Sequence, residues 1–206
     1  MKIVMILMIV MGCFSAFAEE KTEVKAFQDT AMDLIEEGKY EVAFRLLDDR
    51  IKQKEWELQF LYMLRADCYG QFQDYEKARK DYIKALPRST KGTVEYRLGR
   101  TLERLKQPRE AIAYLDKSIE ITGGKDKQAA LARYYKSKAL CRMGKYEEAK
   151  LELKKIDPET THGVIMDQVK VMFDFCDEQE KKLAEQVAKE QTPTKEEPES
   201  QSKVHD

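Results

Sequence analysis

A six-residue phrase recurs four times along the chain, and its phasing constrains the fold more than any other feature of the sequence. Gly38-Lys39-Tyr40-Glu41-Val42-Ala43 returns as Gln73-Asp74-Tyr75-Glu76-Lys77-Ala78, as Lys106-Gln107-Pro108-Arg109-Glu110-Ala111 and as Gly144-Lys145-Tyr146-Glu147-Glu148-Ala149. The terminal alanines stand 35, 33 and 38 residues apart. Each phrase lies between two stretches of helical period, so it reads as the turn of a helical hairpin. With only nine Gly and five Pro in 206 residues, and long runs of Ala, Leu, Glu, Lys, Gln and Arg, the composition favours helix throughout.

Each position within the period has a physical reading. Ala43, Ala78, Ala111 and Ala149 are small because the two helices of a hairpin cross there, and a longer side chain would hold their axes apart. The facing helix needs a second small residue, and twelve positions upstream stand Ala31, Ala66, Gly99 and Ser137. Four residues after each alanine comes a large apolar group on the same face: Leu47, Tyr82, Leu115 and Leu153. The turn aromatics Tyr40, Tyr75 and Tyr146 lay a ring over the hairpin end, and Pro108 replaces them in the third unit, where proline suits the first residue of a helix.

With these positions in phase, the chain resembles the tetratricopeptide repeat family over Val24 to Pro158, most fully in the second unit through Tyr62, Ala66, Tyr69, Tyr75, Ala78, Tyr82, Ala85 and an early Pro87. The resemblance implies an all-α, right-handed α-solenoid of about four hairpins, at about 24–57, 59–91, 92–125 and 130–158 within a repeat region 19–158. Arg50, Ser118 and Ile156 depart from the family by standing where a small residue usually seats the next hairpin, and Gly123-Gly124-Lys125 lengthens one turn. A capping helix is expected at 159–190, with Ile165, Val169, Met172, Phe173 and Cys176 on one stripe, because a repeat array needs its last apolar face covered. The Pro-, Ser-, Thr- and Glu-rich stretch 191–206 reads as a disordered tail.

Residues 1–18 differ from the rest. Lys2, the apolar run Ile3 to Val10 and the close Ala16-Phe17-Ala18 have the architecture of a secretory signal peptide, too short to span a bilayer. The expected location is therefore the periplasm or the exterior. Val10-Met11-Gly12-Cys13 also resembles a bacterial lipobox, which would lipidate Cys13 and make an outer-membrane lipoprotein; a membrane partner is expected only in that case. The nearly balanced charge, 37 basic against 38 acidic side chains, gives no bulk affinity for nucleic acid. Cys68, Cys141 and Cys176 are too few and too widely spaced for a disulfide framework and read first as buried small hydrophobes.

No constellation of catalytic residues stands out. The two histidines, His162 and His205, are isolated, and no metal-ligand spacing or phosphate loop is present, so neither an enzyme nor a metal or cofactor is expected. A solenoid offers instead a concave groove, built from the first helix of each hairpin. In the family, the second, fifth, ninth, twelfth and thirteenth places of that helix face the groove. The resemblance so implies Lys25, Gln28, Met32, Ile35 and Glu36 in unit one, and Phe60, Met63, Asp67, Gly70 and Gln71 in unit two. Units three and four add Tyr96, Arg100, Glu103 and Arg104, then Leu131, Tyr134, Lys138, Cys141 and Arg142. Arg97, Arg100 and Arg104 share a helix stripe, and with Lys138, Arg142, Tyr96 and Tyr134 they form the candidate partner surface. Its expected ligand is a protein or peptide, acidic or with a free carboxylate. The competing reading is a solvated face in which Glu103 pairs with Arg100 or Arg104. Gln28 and Met32 depart from the family's chaperone-tail clamp, which places Lys and Asn on unit one.

Overall fold

The computed structural model describes residues 22–53, 58–159, 161 and 164–191; the leader at 1–18 with Cys13, and the tail from 192 onward, lie outside them. Among the described residues the chain forms helices and no strand. Helix α1 covers 22–36, α2 Tyr40–Gln53, α3 Leu58–Gln71, α4 Tyr75–Ala85 and α5 Thr93–Arg104. Then come α6 Pro108–Ile121, α7 Lys127–Arg142, α8 Tyr146–Lys154 and α9 Val164–Gln191. A 3-10 turn, Leu86–Arg88, holds Pro87 between α4 and α5.

All four hairpin turns are built the same way. Gly38, Gln73, Lys106 and Gly144 adopt left-handed φ values of 76, 61, 59 and 74°. The next amide then reaches back five residues: Lys39 N–H to Leu34 O at 2.8 Å, Asp74 to Tyr69 at 2.9 Å, Gln107 to Leu102 at 2.9 Å and Lys145 to Leu140 at 3.0 Å. This double closure satisfies carbonyls that the ending helix would leave bare, and it aims the chain straight into the second helix. Proline at the start of α6 loses no helical hydrogen bond.

The small residues meet as their spacing predicts. Ala31, Ala43, Ala66, Ala78, Ala111, Ser137 and Ala149 are all fully buried, as are Leu47 and Leu115. Gly99 makes the tightest approach, since a Cβ there would lie 2.6 Å from Cγ of Leu115 and 2.8 Å from its Cδ2. Cores join each hairpin to the next. One gathers Ala31, Leu47, Leu61 and Leu64, another Ala66, Tyr82, Leu98, Leu102 and Leu115. The second helix of each hairpin packs on the first helix of the following one, and α5 also packs directly on α7.

The three departures have distinct explanations. Ser118 is small enough to seat the next unit: it is fully buried and donates to Gly92 O at 2.8 Å. Arg50 lies over the Phe27 ring, 5.1 Å from its centroid, and so turns back onto the first helix of its own hairpin. Ile156 is buried because α9, not another hairpin, follows it. That last helix lays Val169, Met172, Phe173 and Cys176 on α7 and α8, and Lys150 of α8 pins it through Asp177 at 3.0 Å and Glu180 at 2.5 Å. Residues 181–189 are exposed throughout.

Two stability changes test this account by urea denaturation. Gly99→Ala should destabilise by about 1–3 kcal/mol through overpacking, and Gly99→Ala with Leu115→Ala should lose less than the sum of the single variants. Lys106→Gly should stabilise by about 0.5–1 kcal/mol, since glycine takes the left-handed turn without Cβ strain.

Candidate partner-binding surface

The first helices α3, α5 and α7 place the predicted residues side by side, but they do not leave all of them open. Asp67 of α3 accepts a hydrogen bond from the Tyr82 hydroxyl at 2.6 Å and is paired with Arg97 of α5. Burial pushes the Asp67 carboxyl upward in pKa, against the pull of Arg97 and the bond from Tyr82. Arg97 is thus held inside the chain. Tyr96 is buried, with its ring 6.0 Å from that of Tyr135, which in turn meets Tyr134 edge-on at 5.3 Å.

Glu103 changes the expected picture most. It is fully buried, and it pairs not with Arg100 or Arg104 on its own helix but with α7: Arg142 Nε donates to Oε1 at 2.8 Å, and Lys138 Nζ lies 3.7 Å from Oε2. The two cations expected to grip a partner's carboxylate therefore already face one. Lys138 Nζ also stands 5.4 Å from the Tyr135 ring centroid.

Arg100 and Arg104 behave differently. Among the described residues no carboxylate lies within ion-pair distance of either. Burial opposes the charge on Arg100, but the oxygens of Tyr96, Tyr135 and Tyr82 offset that and keep its pKa above the ordinary value. Arg104, one helical turn further on, is exposed.

Beside this cluster runs a cleft of about 370 Å3, lined by Glu103 of α5, by Lys138, Cys141 and Arg142 of α7, and by Val171, Met172 and Phe175 of α9. One end is charged and the other apolar. Val171 and Phe175, four residues apart on one face of α9, are 68% and 43% exposed. Sequence reasoning assigned α9 a single capping stripe and missed this second edge. The signal was present as an apolar pair four residues apart, off the stripe that carries Val169 and Cys176. In units one and two, Ile35, Phe60 and Met63 pack partly against the core, and only Met32 of that group is exposed.

A second set of charges acts at the joints between hairpins. Arg65 of α3 reaches Asp48 of α2 at 2.6 Å and Asp81 of α4 at 2.7 Å. Lys136 of α7 repeats the arrangement two hairpins later, contacting Asp116 of α6 at 2.6 Å and Glu152 of α8 at 3.1 Å. Arg133 adds a 3.0 Å bond to Glu152. The matching positions of the middle joint are the uncharged Ile83, Leu98 and Tyr114, so the ionic bridge is present at alternate joints only.

Among the described residues no grouping of His, Cys, Asp and Glu is set for a metal ion, and no helix is long and apolar enough to cross a membrane. The tetratricopeptide repeat profile matches residues 61–87 and 96–123, which fall on the second and third hairpins. The solved structure of YrrB, described as a tetratricopeptide-repeat protein with an unusual peptide-binding site, superposes with a TM-score of 0.56 at 22% identity. That match covers 72% of this chain and 75% of YrrB. Two of the four hairpins are thus tetratricopeptide repeats, and the array as a whole has the fold of a tetratricopeptide-repeat solenoid. MamA from Desulfovibrio magneticus superposes on this repeat protein with a TM-score of 0.59 at 19% identity, over 82% of the chain and 97% of MamA. At these identities the likeness is one of fold. No curated protein sequence matches the repeat chain significantly.

The joint charges of the repeat array give it an acid-sensitive component. Burial works to raise the pKa of Glu152, but Lys155 and Lys136 outweigh it and hold the carboxyl below its ordinary 4.5. A depressed carboxyl pKa contributes stability that is present above the unfolded value and is lost as pH falls through the folded one. Glu152→Gln should therefore lower stability near neutral pH and flatten its decline as pH falls below the ordinary carboxyl range, as read from urea midpoints along a pH series.

Proposed function

We propose that this chain is an exported adaptor of the bacterial envelope that holds an extended peptide or loop of a partner against α5, α7 and α9. A tetratricopeptide-repeat fold marks a protein-interaction module, and proteins built on it are generally non-catalytic scaffolds. The observation that carries this reading is the cleft that sets a charged cluster beside the exposed Val171 and Phe175. A short apolar side chain of the partner fills the cleft, and a carboxylate meets Arg100 or Arg104, neither of which has a carboxylate within ion-pair distance among the described residues. Such anchors, more than total area, set the affinity of an interface. Arg97, Lys138 and Arg142 act as support here, because Asp67 and Glu103 already hold them.

The leader-like residues 1–18 support export, and the Val10-Met11-Gly12-Cys13 motif supports a tethered form that would serve as an assembly factor. The intact mass of the mature chain separates the two: a start at Glu19 means a free protein, and a start at Cys13 with added acyl mass means a lipoprotein.

The binding surface is tested with two variants, Phe175→Asp alone and Arg100→Glu with Arg104→Glu, in a crosslinking pull-down from native envelope. All of these side chains are at least partly exposed, so helicity by circular dichroism should match the parent. Recovery of the partner should fall about tenfold or more in each. Undiminished recovery in both would remove the cleft as the binding site.

A further inference from the structure

Cys141 of α7 and Cys176 of α9 bring their sulfurs to 3.2 Å across the joint between the last hairpin and its cap. We propose that this pair is a redox site, which closes into a disulfide and staples α9 onto α7. The inference stands apart from any partner, because it rests on the sulfur geometry and its surroundings alone.

The sulfurs are reduced and touching, and reaching the bonded separation of about 2.05 Å requires only about 1 Å of travel. The surroundings favour the neutral product. Cys176 is fully buried beside Leu140 and Ala149, and the Met172 sulfur lies 3.9 Å from that of Cys141. Burial, with Cys176 alongside, pushes the Cys141 thiol up to about 12, and burial also raises that of Cys176. A site that disfavours the thiolate carries no such penalty against an uncharged disulfide. The two residues lie 35 apart in sequence, so closure removes considerable freedom from the unfolded chain.

Access is asymmetric. Cys141 lines the cleft, while Cys176 lies behind it. An oxidant of the disulfide class therefore enters at Cys141. The Cys141 thiolate attacks one sulfur of that disulfide, forming a mixed disulfide and expelling one thiolate. The Cys176 thiolate then attacks the Cys141 sulfur and expels the second. The chain gives up two electrons and two protons, and the oxidant leaves as two thiols. Because Phe175 immediately precedes Cys176, the bond also fixes the apolar wall of the cleft.

Cys68 provides an internal control, being buried in the core of the first two hairpins. The test is to incubate the folded full-length chain with oxidised glutathione and follow it by intact mass, non-reducing peptide mapping and thermal melting. The expected product has lost two hydrogen atoms, yields one crosslinked peptide pair containing Cys141 and Cys176, and melts about 5–10 °C above the reduced chain. Cys176→Ser should stop at a glutathione adduct on Cys141, and Cys68→Ser should oxidise as the parent does. Pairing through Cys68, absence of any mass loss under oxidising conditions, or an oxidised form that melts no higher than the reduced one would overturn the proposal.

Discussion

The close crossing of two helices within each hairpin is the contact on which the rest of the structure depends. At every crossing a fully buried alanine of the second helix meets a small residue of the first, and in the third unit that residue is Gly99, pressed against Leu115. Close approach lets the large side chains one turn further on, Leu47, Tyr82, Leu115 and Leu153, fill the space between successive hairpins. Dispersion and apolar burial then act along the whole array, although each hairpin touches only its neighbours. The identical left-handed turns keep all four crossings in phase, so that side chains from α3, α5 and α7 come to lie beside one another.

This regularity made the architecture legible from sequence. The alanine spacing, the upstream small residues and the apolar stripe of the cap each follow from helical period, a local property that one chain displays unaided. The fate of the charges was not legible in the same way. Glu103 lies 39 residues from Arg142, and Asp67 lies 30 from Arg97, so neither pairing has a local signature. Arg97, Arg100 and Arg104 occupy one helix stripe, yet among the described residues only Arg97 meets a carboxylate, because Asp67 on the neighbouring helix is within its reach. Val171 and Phe175 escaped notice for a related reason: their surroundings depend on the angle at which α9 crosses α7.

The ionic bridges show how charge can be placed inside a solenoid. Arg65 and Lys136 each contact carboxylates on the helices before and after their own, so a single cation fastens three helices. Removing one partner from such a buried group leaves an uncompensated charge, which is far more damaging than the bridge is stabilising. Their value is therefore in fixing how one hairpin sits on the next; the middle joint, uncharged at the matching positions, is crossed instead by the Asp67–Arg97 pair.

The cap has a consequence for assembly. A helical array with two bare ends is a polymer waiting to form, because each end offers the surface that the other can continue. Here α9 covers α7 and α8 and presents an exposed, charged stretch beyond them, with Lys182 and Glu178 paired at 2.6 Å. The face that a further hairpin would continue is thus taken by α9 itself. The array acquires polarity: at this end, among the described residues, it presents the flank of a single helix and not the open face of a hairpin.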